Sequence, residues 1–145
     1  LLGEDVPCVD VKRGTKIFRA VRQAVQQGWI ASLHDCSEGG LGVSLAEMSF
    51  AGGLGVTVWL EKVPYKGKPK RNDDVLFSES NSRFVAEVDP QNKDAFEKIF
   101  SGVVLAEIGR VEEGPGFFVY GIDGKMCVRA DRDDLRQAWK NPLRW

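Results

Sequence analysis

The segment from residue 29 to residue 50 most constrains the fold, because a short apolar stretch, a polar turn and a helical pattern follow one another directly. "WIASLHD" (29 to 35) is apolar before it turns polar, which is typical of a buried strand that ends in a loop. "GLGVSLAEMSF" (40 to 50) places its leucines and Met48 on one stripe, which predicts a helix. A strand joined to a helix through "HDCSEGG" (34 to 40) favours an α/β fold.

The rest of the chain mixes helical and strand-like patterns. Asp123-Gly124 between two apolar runs is a strong hairpin signal, and Asp131 is a candidate cap for a closing helix. The mixed order predicts an α/β domain with an antiparallel end. Helices are predicted over 15–27, 73–80, 90–100 and 131–139, and strands over 56–60, 82–88, 103–111 and on both sides of 123–124.

Composition limits the function classes. The 145 residues with 43% hydrophobic content suffice for one domain over 1–145, and 20 basic against 21 acidic residues do not favour nucleic acid or an anionic membrane as a partner. No apolar run approaches the length of a membrane span, so we expect a soluble, cytoplasmic protein. Three widely spaced cysteines, Cys8, Cys36 and Cys127, argue against a disulfide framework or a zinc knuckle, and Cys36 is expected to be a packed small residue.

The polar turn allows several kinds of chemistry. His34 and Asp35 adjoin Ser37, but a serine triad is normally assembled from distant segments, and neighbouring residues are equally unsuited to share one metal ion. The glycines favour a different interpretation, in which Ser37 or Asp35 caps the helix and Gly39 and Gly40 let backbone amides approach an anion. A phosphate cradle and a plain strand-to-helix turn remain equally open.

A second polar cluster, "SESNSR" (78 to 83), lies between a short predicted helix and a strand. It is either a solvated capping loop or a recognition loop, and the apolar pairs "LF" before it and "FV" after it favour recognition, since they would hold Glu79, Ser80, Asn81 and Arg83 still.

Together the two clusters resemble a known family. "HDCSEGGLGVSLAEMSFAGGLGV" followed about twenty residues later by "LFSESNSRFVAEV" is similar to the C-terminal domain of the phosphoribosylformylglycinamidine synthase subunit II family, and the resemblance covers essentially the whole chain. It implies a three-layer α/β/α domain with a mixed sheet, like the C-terminal domain of aminoimidazole ribonucleotide (AIR) synthetase. The resemblance also implies that the chain is a fragment lacking the ATP-binding-type domains before it. The first residues of the chain look like a linker.

The resemblance implies an activity for the parent enzyme. Such an enzyme uses ATP and Mg²⁺ to convert formylglycinamide ribonucleotide to its amidine, with ammonia from a glutaminase subunit and with a small accessory subunit in the complex. The family's catalytic histidines and most of its ATP and magnesium ligands lie in the missing domains, so no catalytic or metal-binding residue is assigned here. The fragment alone should be inactive.

The site residues that the resemblance implies are the two clusters themselves. Glu79, Ser80 and Asn81 hold the positions of a Glu-Ser-Gln segment that contacts the ribonucleotide in the first half of the family's proteins, with Asn81 in place of Gln. The residues expected to face nucleotide, phosphate or substrate are His34, Asp35, Ser37, Glu38, Gly39, Gly40, Glu79, Ser80, Asn81 and Arg83.

Two alternatives stay open. One is another enzyme of the same superfamily, a selenophosphate synthetase or a hydrogenase-maturation protein, for which a reactive cysteine motif near a terminus would be the sign. The other is a structural or assembly domain without a ligand of its own, whose two clusters pack against a neighbouring domain or an accessory subunit.

Overall fold

Helical and strand segments are mixed along the chain, as the patterns predict, and the α/β fold class is confirmed. The computed structural model describes residues 8–67 and 69–143. Short 3₁₀ turns lie at Leu60–Lys62, Pro90–Asn92 and Asn141–Leu143. The principal elements are α1 (Val11–Gln26), β1 (Ile30–Asp35), α2 (Gly40–Gly52), β2 (Gly55–Trp59), α3 (Asn72–Phe77), β3 (Phe84–Val88), α4 (Lys93–Ile99), β4 (Gly109–Glu112), β5 (Gly116–Tyr120), β6 (Met126–Asp131) and α5 (Arg132–Lys140).

The strands form two sheets where one was predicted. Four strands lie in the order β4-β2-β5-β6, with β2 and β5 parallel and the other neighbours antiparallel, so this sheet is mixed. β1 and β3 form a separate antiparallel pair. The division places the strand that ends at the glycine turn beside the strand that starts after the SESNSR segment.

Helices cover both faces of the β1–β3 pair, which agrees with the predicted helix–sheet–helix layering. Ala20 and Ala24 of α1 form one core cluster with Phe96 and Phe100 at α4, and this cluster packs against one face of the pair. α2 contacts the other face and also packs on the four-stranded sheet. β1 was predicted to be buried, but its residues alternate between half-buried and exposed. One face of the strand is thus covered more completely than the other.

The central position of α2 follows from its composition, since a helix that is apolar nearly all round must be covered on several sides. Leu41 and Leu45 are almost fully buried against Val58 and Val119 of the sheet, both of which are completely buried. Ser44 is buried as well, and its hydroxyl lies 3.0 Å from the carbonyl oxygen of Asp35 and 2.9 Å from that of Gly40, so its single proton can be donated to either. α2 is therefore held firmly behind the glycine turn.

The predicted cap at Asp131 and the predicted hairpin at Asp123-Gly124 are both confirmed. Asp131 accepts a hydrogen bond from the amide of Asp133 and so caps α5, and the predicted hairpin joins β5 to β6. α1 begins at Val11, four residues before the predicted start, because Asp10 caps it and Gly14 is part of the helix. A Cβ at Gly14 would lie 3.1 Å from the hydroxyl of Ser82, so the glycine lets α1 approach the SESNSR segment closely.

The strand predicted over 103–111 is wrong over most of its length. β4 begins only at Gly109 and ends at Glu112. Before it, Val104 and Leu105 are exposed, and Glu107 is held by an ion pair with Lys93 at 2.5 Å, so residues 104–107 do not continue the ladder. A Cβ at residue 109 would lie 2.4 Å from the carbonyl oxygen of Thr57, so β4 can pair with β2 there only through a glycine.

Two further expectations concern the chain as a whole. The linker predicted at the N-terminus falls mainly on residues 1–7, which lie outside the described residues. In the part of the chain that is described, no helix has the length and apolar character that a membrane span requires.

Candidate functional site

The glycine turn (residues 34–40) and the SESNSR loop (residues 78–83) lie side by side. The β1–β3 register pairs Asp35 with Phe84, and the amide of Cys36 donates a 2.8 Å hydrogen bond to the carbonyl oxygen of Arg83. The end of β1 therefore lies beside the start of β3. Sequence reasoning named both clusters, and the strand pairing brings them together.

Both glycines of the turn are required by the backbone. Gly39 and Gly40 have φ angles of 74° and 60°, in the left-handed region that favours glycine. At Gly40 a Cβ would also lie 2.8 Å from the carbonyl oxygen of Ser78 and 2.9 Å from that of Leu76. The turn can approach the end of α3 and the start of the SESNSR loop only without a side chain.

The predicted capping of α2 by Ser37 or Asp35 is wrong. Gly39 is the N-cap residue and makes no side-chain capping bond, whereas the hydroxyl of Ser37 donates to the carboxylate of Asp35. The amide of Gly39 instead donates a 2.9 Å hydrogen bond to Oε1 of Glu79. A carboxylate of the protein thus takes the place that an anion would take at the start of the helix, where amide donors and the helix dipole favour negative charge.

The two clusters line one open cleft of about 520 Å³. Its charge is mainly negative, since three carboxylates stand against one guanidinium, and aromatic rings of Phe18 and Phe84 lie at one side in an edge-to-face contact of 5.5 Å. Of the predicted site residues, His34, Gly39 and Gly40 are not part of the lining. The predicted residues that do line it are Asp35, Ser37, Glu38, Glu79, Ser80, Asn81 and Arg83.

Arg83 stabilises the loop from within. Its Nη2 donates to the carbonyl oxygen of Ser78 at 2.5 Å, which closes the SESNSR loop on itself. Its Nε is buried and has no hydrogen-bond partner among the described residues. Ser82 adopts a φ of 59°, which is uncommon for a residue other than glycine. Arg83, which supplies the one guanidinium that the described residues place in the cleft, is therefore partly committed to holding the loop.

His34 lies on the other face of β1 and does not take part in a triad. Its Nε2 is 2.9 Å from Oε2 of Glu47, and its Nδ1 is 2.6 Å from the carbonyl oxygen of Asp35. The indole Nε1 of Trp139 donates to the other oxygen of Glu47 at 2.9 Å. Glu47 thus joins β1, α2 and α5 through side-chain contacts.

Glu47 is the residue that sequence reasoning missed. A signal was present, since it is the one charged residue in the thirteen residues of α2, and a lone acid in an apolar helix needs a partner.

The hydroxyl of Ser37 points to Asp35 and not to His34, which excludes a serine triad in this arrangement. Among the described residues, no group of three or more metal-ligating side chains comes together.

The environment shifts the acidity of two groups in the turn. The hydroxyl of Ser37 and a backbone amide stabilise the charged form of Asp35, so the pKa of this exposed carboxyl is lowered. Burial raises the pKa of the Cys36 thiol, which is only 4% exposed. Cys36 is therefore a poor nucleophile at neutral pH, and its prediction as a packed small residue is confirmed.

The sequence matches a known family over residues 1–122, described as "AIR synthase related protein, C-terminal domain". The chain belongs to this family. The match includes the glycine turn, the SESNSR loop and every element up to β5. The expected likeness to the C-terminal domain of AIR synthetase is thereby shown, together with the fold class.

Several solved structures share the fold. Phosphoribosylformylglycinamidine synthase II from Thermotoga maritima is 21% identical, with a TM-score of 0.80 over 90% of this chain and 22% of that one. T. maritima PurL complexed with ATP is 22% identical, with a TM-score of 0.75 over 83% of this chain and 21% of that one. Escherichia coli HypE, a hydrogenase maturation protein, is 19% identical, with a TM-score of 0.63 over 79% of this chain and 38% of that one. The chain spans about a fifth of the length of the synthase chains.

Proposed function

We propose that this domain is the C-terminal part of an ATP-dependent synthase that converts formylglycinamide ribonucleotide to formylglycinamidine ribonucleotide with ammonia derived from glutamine. The observation that carries the proposal is the meeting of the glycine turn and the SESNSR loop in one cleft, since these are the two motifs by which the sequence resembles that enzyme. The T. maritima structures support it, because they are described as complexes with ATP, ADP and FGAR and as PurLQS.

The cleft by itself does not fit a magnesium triphosphate. Its carboxylates, Asp35, Glu38 and Glu79, would repel phosphate oxygens, and Glu79 already accepts the amide of Gly39. The one guanidinium, that of Arg83, donates to a backbone carbonyl. In the proposal ATP and Mg²⁺ are therefore bound by other domains of the synthase, and no step of the reaction is assigned to residues of this chain.

The polar groups of the cleft suit a sugar better than a phosphate. Carboxylates accept hydrogen bonds from hydroxyl groups, and the side chains of Ser80 and Asn81 can both donate and accept. In the proposal these groups face the ribose of the ribonucleotide, as a supporting site beside the catalytic domains. The glutaminase subunit and the small accessory subunit are the proposed partners, and the cytoplasm is the proposed location.

Activity of the full-length protein tests this function. With formylglycinamide ribonucleotide, ATP, Mg²⁺ and ammonium, we expect formation of the amidine together with one ADP per product, measured by mass spectrometry and a coupled ADP assay. The 145-residue chain alone should form none. If the full-length protein makes no amidine but consumes ATP with selenide, or acts as a hydrogenase-maturation protein does, the proposed reaction is overturned. Robust turnover by the chain alone would overturn its assignment as a fragment.

A structural role is the second candidate, and one observation favours it. The carboxylate of Glu79 accepts the hydrogen bond from the Gly39 amide at the start of α2. This bond can hold the glycine turn and the SESNSR loop together without any ligand. Calorimetry on the full-length protein distinguishes the two, with formylglycinamide ribonucleotide and with ADP and Mg²⁺ titrated separately into the wild type, Ser80→Ala and Asn81→Ala. Weaker ribonucleotide binding with unchanged ADP binding supports the sugar site. Unchanged binding of both, with impaired assembly with the subunits, supports the structural role.

A further inference from the structure

The outward face of α1 is strongly basic. Lys12, Lys16, Arg19 and Arg22 are all exposed, and the sixteen residues of the helix include no acidic side chain. None of these four cations forms an ion pair with another described residue. With Arg13, the helix holds five of the 20 basic residues and none of the 21 acidic ones, so the remainder of the chain has 15 basic and 21 acidic residues and is clearly acidic.

These charges do not stabilise the helix that carries them. Lys12 lies in the first turn, where the helix dipole favours negative charge, and no basic residue lies in the last turn, where it would be favourable. Lys12 and Lys16 are also four residues apart, a spacing at which like charges repel each other on the helix surface. An explanation for the cations must therefore be sought outside the helix.

An apolar stripe runs beside the cations. Val11, Phe18 and Val25 recur at intervals of seven residues and have exposed fractions of 71%, 56% and 53%. With a rise of 1.5 Å per residue, the stripe is about 21 Å long. The buried positions of α1, such as Ile17 and Ala24, lie on a different face. Phe18 contacts the ring of Phe84 with one edge, but the domain itself leaves more than half of each of the three stripe side chains uncovered.

We propose that this face of α1, the stripe with its four flanking cations, binds an acidic surface of another protein domain. Charge complementarity selects the partner, and the apolar stripe provides the contact that the domain core does not use. A membrane is a poorer occupant, because α1 is fixed by its buried face and offers only three separated apolar side chains for insertion. Nucleic acid is also poorer, since phosphates gain nothing from covering valine and phenylalanine.

A designed probe tests the charge and the stripe together. The probe is a fluorescein-labelled helical peptide with leucine at every seventh position and glutamate at the positions beside it, and its binding to the full-length protein is followed by anisotropy. Replacing Lys12, Lys16, Arg19 and Arg22 by Gln should weaken binding about tenfold. The matched control replaces Lys66, Lys70, Lys98 and Lys140 by Gln, which changes the net charge equally at exposed cations outside α1; it should bind the peptide as the wild type does.

Further variants and probes distinguish a protein partner from a membrane or nucleic acid. A Val11→Asn, Val25→Asn variant should also weaken the peptide complex, since it leaves every charge in place. Circular dichroism verifies that each variant is folded. Equal binding of the peptide by the wild type and the α1 variants overturns the proposal. It is overturned as well if phosphatidylserine vesicles or a short DNA duplex bind more tightly than the peptide and lose binding on the α1 substitutions. The result is independent of the synthase assay, because no arm measures turnover.

Discussion

The amide of Gly39 donates to the carboxylate of Glu79 across 2.9 Å, although the two residues are forty positions apart in the chain. The bond ties the start of α2 to the loop that enters β3, so the two walls of the cleft are fixed to each other. A helix N-terminus that is occupied in this way is stable without a ligand, because one of its unpaired amides has found an acceptor.

Glu79→Ala should release the glycine turn. The loss of a charge-assisted hydrogen bond at this exposed position is expected to lower the free energy of unfolding by about 1 kcal/mol. Urea denaturation measures the change, and faster hydrogen exchange of the Gly39 amide locates it. Glu38→Ala is the matched control, since Glu38 is an exposed acid of the same cleft whose side chain makes no hydrogen bond with any described residue. Equal effects of both substitutions would contradict the assignment.

Gly40→Ala should be among the most destabilising small changes in the domain. The new methyl group would lie within 2.9 Å of two backbone oxygens, and the residue would keep a φ of 60°. We expect a loss of about 3 kcal/mol or more, since steric overlap adds to backbone strain. Gly52→Ala in the same helix is the control, because nothing lies within 4 Å of the position that its methyl group would take; thermal unfolding should show little change for it.

Asp35 gives a prediction for pH. Because the hydroxyl of Ser37 lowers the pKa of this carboxyl in the folded protein, its contribution to stability is present above the pKa of the unfolded chain. That contribution is lost as the pH falls through the lower, folded pKa. Ser37→Ala should move the pKa of Asp35 upward, toward the ordinary range near 4, as followed by NMR of the side-chain carboxyl carbon. A titration curve that Ser37→Ala leaves unchanged would exclude this hydrogen bond as the cause.

Glu47→Ala should loosen the contact between α2 and α5. It removes the acceptor for the Trp139 indole and for the His34 ring, and we expect a loss of about 1 to 3 kcal/mol. The indole proton resonance of Trp139 should shift as well. Trp139→Phe supplies the second corner of a double-mutant cycle, in which the joint variant should cost less than the sum of the two single changes. Additive effects would show that the two side chains do not interact energetically.

Local signals account for what the sequence predicts well. The strand, the glycine turn and the helix over residues 30–52 have apolar spacing and turn residues within one short segment, and the hairpin at Asp123-Gly124 and the cap at Asp131 are equally local. The resemblance to the family rests on two such segments, and it predicts which residues form the candidate site.

Contacts between distant segments account for the rest. The division into two sheets depends on β2 pairing with β5, and nothing within either strand specifies that neighbour. The stretch before β4 is apolar enough to resemble a strand, but the ion pair between Lys93 and Glu107 joins it to α4. Glu79 replaces the predicted caps of α2 because tertiary structure brings it there, whereas Ser37 and Asp35 were nearer in sequence.

The pairing of the strands also dictates when the protein can fold as it leaves the ribosome. β2 has neighbours on both sides, β4 and β5, and each of them is made more than forty residues later. β1 likewise waits for β3. The first half of the chain therefore emerges with its apolar strands unpaired, and such non-local pairing is slow and leaves strand edges open to aggregation. A nascent chain that stalls before β3 consequently exposes both β1 and β2 without a partner strand.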